Sequence, residues 1–463
     1  MSERWYMRQP SPRTCGKPPA LWVGFAIFVV IQVIGAVITV LTWGPRPVAS
    51  TDFFVRLFIL PLSVTVVLCG IVYSRHEQEA TDTRWWNYLC RDVRSRWRRW
   101  AQQRVAIVSC TTITAEVNLG ERMAGLEGAP PANSGKRLPL ANEDQESSEA
   151  RLEQVLTSLL TPLSTTIATL ARARTLHVCL QSSTRDDLAD LRQVWQRMRL
   201  ASLVTFSWES LDAQLSIVEP WLDNEKPKSD FQLILACQLH AADRTPAWSE
   251  VAVALLTTSS AGLAAFRGKL KPMAYLFRPV SADADEFVDA LMAVSRAEQV
   301  PADRIKRLWM CGLPGQLRNA TVSAVKDCGF DLPTHNLDEA VGDPGPASPL
   351  LLHALAAQMV QHGQGVQLVA TPAQSGVHLS LIGSQIAPIE PVTPEYYRLL
   401  SLSTTVGFVG VAGIVLFGAD TLGVMRPWLG WSVLAALIAM IPLQAGAALL
   451  CRRAVTEDFY ANL

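Results

Sequence analysis

The residues of this chain most able to do chemistry are its seven histidines and nine cysteines, and their spacing argues against a metal centre. His76, His177, His240, His335, His353, His362 and His378 form no HxxxH or HxH pair, and none stands beside carboxylates at ligand spacing. Cys15, Cys69, Cys90, Cys110, Cys179, Cys237, Cys311, Cys328 and Cys451 contain no CxxC pair. They read as reduced, mostly buried small residues of a cytosolic domain. A hydrolytic triad could draw on Ser207, His335 and an acid, Asp338 or Asp343, but no GxSxG surrounds Ser207 to hold it in a strained elbow. Neither GxxxxGK[ST] nor GxGxxG occurs, so no loop is marked for cradling phosphates. His353 falls on an apolar helix face, where a satisfied core histidine is the simpler reading. These residues imply no metal and no cofactor.

A second stretch is chemically pointed. RDVRSRWRRW interleaves Arg91, Arg94, Arg96, Arg98 and Arg99 with Trp97 and Trp100. Arginine and tryptophan in this order suit an amphipathic helix lying on anionic headgroups. Nucleic acid would use the same residues. Because the stretch directly follows an apolar span, the membrane surface is the expected contact and no nucleic-acid partner is expected. Lys+Arg and Asp+Glu both total 41, so net charge selects no partner.

These residues must be positioned by a chain of 463 residues whose apolar runs crowd its two ends. Residues 21–43 carry no charge, residues 53–73 only Arg56, and two more runs cover 403–422 and 428–450. Each supplies the roughly 20 apolar residues that a bilayer core demands of a helix. Trp43, Tyr73, Trp428 and Trp431 stand near run ends, as interfacial aromatics do. The first run is too long for a signal-peptide core, and no small-residue cleavage site follows it. Arg4, Arg8, Arg13 and Lys17 precede the first span, Arg75 and a train from Arg84 to Arg104 follow the second, and Arg452-Arg453 end the last. The short loops 44–52 and 419–427 hold only Arg46 and Arg426. The positive-inside rule then puts both termini and the central region on the cytoplasmic side of a bacterial inner membrane. Arg56, Asp420 and Arg426 all lie near span ends, which offers a transporter no buried ionisable path. Gly407, Gly410 and Gly413 line one helix face and permit close packing, within the four-helix set or between two copies in a homodimer.

The organisation that follows is a tail (1–20), a transmembrane hairpin (21–73), a juxtamembrane segment (74–102), a domain (103–385), a linker (386–402), a second hairpin (403–450) and a tail (451–463). Within the domain, VAIVSCTTI at 105–113 reads as a buried strand, and residues 124–150 as a long loop. Helices at about 151–172, 185–198 and 209–221 precede strands at 176–180, 202–206 and 231–237, and another strand follows at 250–257. After a linker near 266–280 come a helix (282–297), a strand (305–310), helices at 316–328 and 347–362, and paired strands at 365–370 and 376–382. Alternating helices and short strands mean an α/β sheet with mostly parallel strands, and two similar halves suggest a duplication.

The second half resembles the C-terminal half of β-ketoacyl synthases, members of the thiolase-like fold. VSRAEQVPADRIKRLWMCG is similar to the helix, loop and strand leading to that family's histidine-glycine motif. VGDPGPAS with LLLHALAAQM resembles the glycine turn and helix that carry the second catalytic histidine, and VQLVATPAQSGVHLSLIG the closing hairpin. SWESLDAQL looks like the nucleophile elbow, and SDFQLILACQL with SEVAVALLT like the strands after it. The resemblance implies an αβαβα layered fold with two pseudo-equivalent sheets over residues 103–385. It also implies where catalysis would sit: Ser207 takes the place of the cysteine, Cys311 that of the first histidine and Asp343 falls near the second. A serine without a base, facing a carboxylate, cannot run Claisen chemistry, so a catalytically degenerate domain is expected. Joined to a membrane hairpin, such a domain resembles accessory proteins of bacterial type VI secretion, including the type VI lipase adapter family, whose thiolase-like domain recruits cargo without catalysis. That implies a protein partner, a secretion component or effector. The alternative is a membrane-bound enzyme acting on acyl or lipid substrates.

Overall fold

The computed structural model describes residues 3–7, 9–44, 47, 50–140, 150–171, 175–200, 203–213, 217, 222, 229–240, 245–266, 268 and 270–463. Contacts divide the chain into two units, Met1–Tyr6 with Trp97–Ile389, and Met7–Arg96 with Glu390–Leu463. The chain begins with two long helices, α1 (Leu21–Thr42) and α2 (Thr51–Ala101). Within α2, Val55–Ile59 winds as a π-helix, which frees backbone carbonyls from their usual partners. The Arg56 carbonyl accepts from Thr39 Oγ1 at 3.2 Å and the Leu57 carbonyl from Gln32 Nε2 at 2.6 Å. Gln32, the polar interruption of the first apolar run, thus supplies a donor to a carbonyl of the π-helical turn.

The domain follows with β1 (Arg104–Thr114), α3 (Leu119–Met123), α4 (Arg151–Leu160), α5 (Ser164–Ala171), β2 (Leu176–Ser182), α6 (Asp187–Arg197), β3 (Val204–Ser210), β4 (Phe231–Gln238), β5 (Val251–Ser259) and α7 (Ser260–Ala264). Its second half comprises β6 (Ala274–Phe277), β7 (Val280–Ala282), α8 (Phe287–Ala297), β8 (Ile305–Met310), α9 (Gly315–Asp327), β9 (Thr334–Asn336), α10 (Leu337–Val341), α11 (Ser348–Gln361), β10 (Val366–Pro372) and β11 (Val377–Gly383).

Strand order shows the duplication. The first half runs β3-β2-β4-β5-β1, the second β9-β8-β10-β11-β6. In each, three strands are mutually parallel (β3, β2, β4 and β9, β8, β10), and the fourth in line is antiparallel to both its neighbours. The halves therefore match strand for strand, in order and direction, giving a mixed α/β architecture of the duplicated kind that the thiolase-like resemblance requires. One expectation is corrected. The halves are not separate sheets: β1 pairs antiparallel with β6, Val105 opposite Leu276, so one hydrogen-bonded ladder of eleven strands runs through both.

Between the halves lies α11, whose Leu350, Leu351, Leu352, Leu355, Met359 and Val360 are all buried. A helix apolar on every side belongs in a core. It packs on β10, β11 and β8 of its own half and on β1 and β5 of the other. A second cluster, with Leu156, Leu159, Val194 and Trp195 from α4 and α6, covers the opposite face of the first half.

Several element boundaries depart from the sequence reading. The single helix at 151–172 is two, α4 and α5, because Pro162 lacks the N–H that would carry the ladder through; residues 172–174 lie outside the described set. The helix expected at 209–221 does not begin there: Glu209 and Ser210 continue β3, and most of 214–221 lies outside the described residues. The expected linker at 266–280 holds β6, a four-residue strand between Pro272 and Pro279, and the start of β7.

The chain ends in α12 (Leu402–Thr421) and α13 (Pro427–Ala461). Among the described residues, four helices are thus long and apolar enough to cross a membrane. In the second unit the glycine stripe of α12 is used inside the chain. A Cβ on Gly70 would lie 2.7 Å from the Gly407 Cα, one on Gly410 2.8 Å from the Ser63 carbonyl, and one on Gly413 2.7 Å from Ser63 Oγ. Beyond their apolar stretches, α2 and α13 pack through aromatic contacts: Trp86 meets Phe459 edge-on at 5.1 Å, and Trp85 Nε1 donates to Thr456 Oγ1 at 3.0 Å.

Candidate functional site

In sheets of this kind, sites form beyond the carboxyl ends of the parallel strands. Cys311 stands there, immediately after β8, and is fully buried. Gly312 follows with φ +62, a conformation that glycine adopts without strain, and its N–H donates to both carboxylate oxygens of Asp338, at 2.9 and 3.1 Å. Burial raises the Cys311 thiol well above its ordinary pKa, and the Asp338 charge adds to the effect. Burial also raises the Asp338 carboxyl, against the Gly312 N–H and Arg318, which lower it. A nucleophilic thiolate needs the opposite surroundings, a nearby cation or a helix N-terminus.

The loop ahead of α11 is covered by residues 133–138. Gly342 has φ +97, and a Cβ there would lie 2.2 Å from the Lys136 carbonyl. The Asp343 N–H donates to that carbonyl at 2.9 Å, its own carbonyl accepts from the Ser249 N–H at 2.9 Å, and its carboxylate pairs with Arg137 Nε at 2.9 Å. Asn133 donates from its backbone to the Glu339 carbonyl (2.7 Å) and from Nδ2 to the Ala340 carbonyl (2.9 Å). Gln238, wholly buried, accepts the Ala347 N–H at 2.9 Å. The covering segment is tied at its far end by Glu250, also wholly buried, which accepts from the Leu140 N–H (2.9 Å), the His240 N–H (2.5 Å) and Arg151 (2.5 Å). Asp343 is therefore a tether.

Ser207 lies in the middle of β3, opposite Cys179 of β2. The resemblance placed it at a nucleophile elbow; in the strand it has no helix dipole to activate it. The three degenerate positions thus have different neighbours: Ser207 has Cys179, Cys311 has Asp338, Asp343 has Arg137. The triad of Ser207, His335 and an acid is also dissolved. β3 and β9 are the two ends of the strand order, and His335 in β9 lies against the Trp309 ring, 4.8 Å between centroids. His353 is a core histidine, its Nδ1 2.6 Å from the Pro349 carbonyl. Burial holds its pKa below the usual imidazole value.

The Arg/Trp segment forms the last turns of α2, and Trp97 and Trp100 are buried against protein. Trp5 meets both rings edge-on, at 6.2 and 5.2 Å between centroids, Trp97 Nε1 donates to the Arg4 carbonyl at 2.8 Å, and Arg278 stacks over Trp100 at 4.5 Å. Arg98 pairs with Glu298, Arg96 with Asp92 and Arg91 with Glu395. Arg94 and Arg99 also have partners. An amphipathic helix needs a free apolar face, and Trp5 occupies part of this one. A lone tryptophan in a short tail gave no signal of that role.

No protein-family model matches the chain, and no curated protein does. Solved structures to which it is similar include an oxazolomycin ketosynthase domain of Streptomyces albus, at 12% identity, covering 64% of this chain and 100% of that one, TM-score 0.39. Another is a type II polyketide ketosynthase in complex with its acyl-carrier protein, at 10% identity, 61% and 99% coverage, TM-score 0.42. A third is a cerulenin-bound OleA of Xanthomonas campestris, at 13% identity, 61% and 97% coverage, TM-score 0.37.

Proposed function

We propose that this protein is a membrane-anchored, catalytically inactive thiolase-like adaptor that holds a protein partner at the cytoplasmic face of a bacterial inner membrane. Its four apolar helices form two transmembrane hairpins, and both termini face the cytoplasm. In its most specific form the reading makes the protein an accessory of a type VI-like secretion system, its partner an effector or a component of the apparatus. The observation that supports inactivity is the setting of Cys311, which the resemblance puts at the first histidine position: a wholly buried thiol beside the Asp338 carboxylate, where a synthase needs an imidazole donor. Lost oxyanion donors, about 10²–10³ in rate for each, and a Ser207 set inside a strand leave little catalysis.

The alternative, an enzyme acting on acyl or lipid substrates, has one observation in its favour. A cavity of 320 Å³ lies between α8 and the sheet, lined by Leu291, Val294, Phe330, Leu368 and Leu381. Its polar lining residues, Ser295 and Glu298, include no nucleophile with a base.

The test offers radiolabelled acyl thioesters, on coenzyme A and on acyl-carrier protein, to membranes containing the full chain. No acyl-enzyme should form, and Cys311→Ala with Asp343→Asn should complement a deletion as well as the unaltered chain does. Label mapped to a peptide containing Ser207 or Cys311 would replace the adaptor with an acyl-handling enzyme.

A further inference from the structure

In the second unit, a cavity of 300 Å³ is lined by Thr81, Arg84 and Trp85 of α2 and by Tyr396, Tyr397 and Arg398 of the segment leading to α12. Its depth follows from helix geometry. Glu77 accepts the N–H groups of Leu402 and Ser403, so it marks the level at which α12 starts. At 1.5 Å per residue, Thr81 lies about 6 Å and Arg84 about 10 Å beyond Glu77 along α2. The headgroup layer extends roughly 5–8 Å beyond each side of the hydrocarbon core. If α12 spans the bilayer, as the proposed function has it, Thr81 lies at headgroup depth and the Arg84 side chain, tilted toward the N-terminal end of α2, reaches back to the outer edge of that layer.

The cavity's charge suits headgroups. Arg84 and Arg398 are exposed, and neither guanidinium has an acidic partner among the described residues. Arg452 adds a third, stacked over the Trp85 ring at 4.3 Å. The nearby acids are occupied: Glu395, also in the lining, pairs with Arg91 at 2.5 Å, and Asp82 accepts from Gln78 at 3.0 Å and from the Tyr397 hydroxyl. Tyr396, 90% exposed, and the exposed Leu399 and Leu400 are the amphipathic and apolar groups that an interface takes up.

We infer that this cavity binds the phosphate of an anionic glycerophospholipid between Arg84 and Arg398, with Trp85 and Tyr396 flanking the headgroup. Basic pockets beside membrane helices select lipids in this way, and paired guanidiniums match phosphate geometry better than ammonium groups do.

The test titrates the full chain in detergent with fluorescent phosphatidylglycerol and phosphatidylcholine. The anionic lipid should bind about tenfold more tightly or better. Arg84→Gln with Arg398→Gln should erase that preference, Arg84→Lys with Arg398→Lys should keep part of it, and Arg453→Gln, whose guanidinium pairs with Glu457, should change nothing. A preference that survives the double glutamine variant overturns the inference. So does displacement of the lipid by soluble glycerol phosphate at equal concentration, which would make the ligand a free phosphate. Alkaline extraction of membranes separates the two readings: a chain released by alkali refutes the membrane spans, whereas one retained without lipid preference refutes the site alone.

Discussion

Glu77 and Arg56, both on α2, hold opposite ends of α12. The Glu77 carboxylate accepts the Ser401 hydroxyl at 2.9 Å and the Leu402 and Ser403 N–H groups at 3.3 and 3.1 Å. Arg56 donates to the Thr421 carbonyl at 2.6 Å. A helix carries partial positive charge at its start and negative charge at its end, so each side chain opposes the right pole. Removing a cap costs about 1 kcal/mol. Glu77→Ala and Arg56→Ala should each lower the melting midpoint of the detergent-solubilised chain, and together they should loosen α12 enough for added protease to cut near Ser401.

The glycine contacts predict a contrast within the same helix set. Gly70→Ile must push a side chain into the Gly407 backbone, whereas a Cβ on Gly446 meets nothing within 4 Å. Steady-state levels in membranes should fall for the first variant and hold for Gly446→Ile. Equal levels would show that the α2–α12 contact is looser than described.

Cys311 and Cys237 are buried, and burial pushes the Cys237 thiol up to about 12. Neither should react with maleimide at neutral pH in the folded chain, while exposed Cys15 reacts fully. Peptide mass spectrometry reads all three at once. In intact cells a membrane-impermeant maleimide should also spare Cys15; labelling there would reverse the proposed orientation.

The stability of the domain should depend on pH through His353. Its folded pKa lies below the value of 6.5 for a free imidazole, because burial disfavours the cation. The unfolded chain therefore takes up this proton first as pH falls, and the contribution present above about 6.5 is lost below it. His335, lowered by burial and by Arg307, acts in the same direction. Denaturant titrations at a series of pH values should show stability falling through that window, less steeply in His353→Gln.

Glu250→Ala should be the most damaging change near the covered loop. It removes a wholly buried carboxylate that three donors share and leaves the Leu140 and His240 N–H groups without that acceptor. Each buried donor left unsatisfied costs about 1–3 kcal/mol. Limited proteolysis should then cut within residues 133–140, which the unaltered chain protects.

Much of this architecture is written in local periodicity. The four apolar runs, the all-apolar face of α11 and most strands of both halves announce themselves. Ser207 shows how a local signal can be overridden by a resemblance. Val204, Phe206 and Trp208 alternate with Thr205, Ser207 and Glu209, a period of two that carries the strand through Ser210. Matching SWESL to a nucleophile elbow placed a turn inside that strand. β6 was hidden for a different reason. Four residues between two prolines are too few to show a period, and their place is fixed only by pairing with β1 and β11. The covering of Gly342 by Lys136 was beyond reach, because it joins segments two hundred residues apart.

The position of β1 also sets a timetable. It is the first strand made after α2, yet its partners are β5 and β6, with Val105 opposite Ser259. At about 5–20 residues per second, a ribosome needs roughly 8–30 seconds to supply that partner. Throughout this wait an eleven-residue strand with the apolar run Val105–Val108 lacks its native partners on a nascent chain. The order of the strands therefore leaves β1 open to non-native pairing for most of the domain's synthesis.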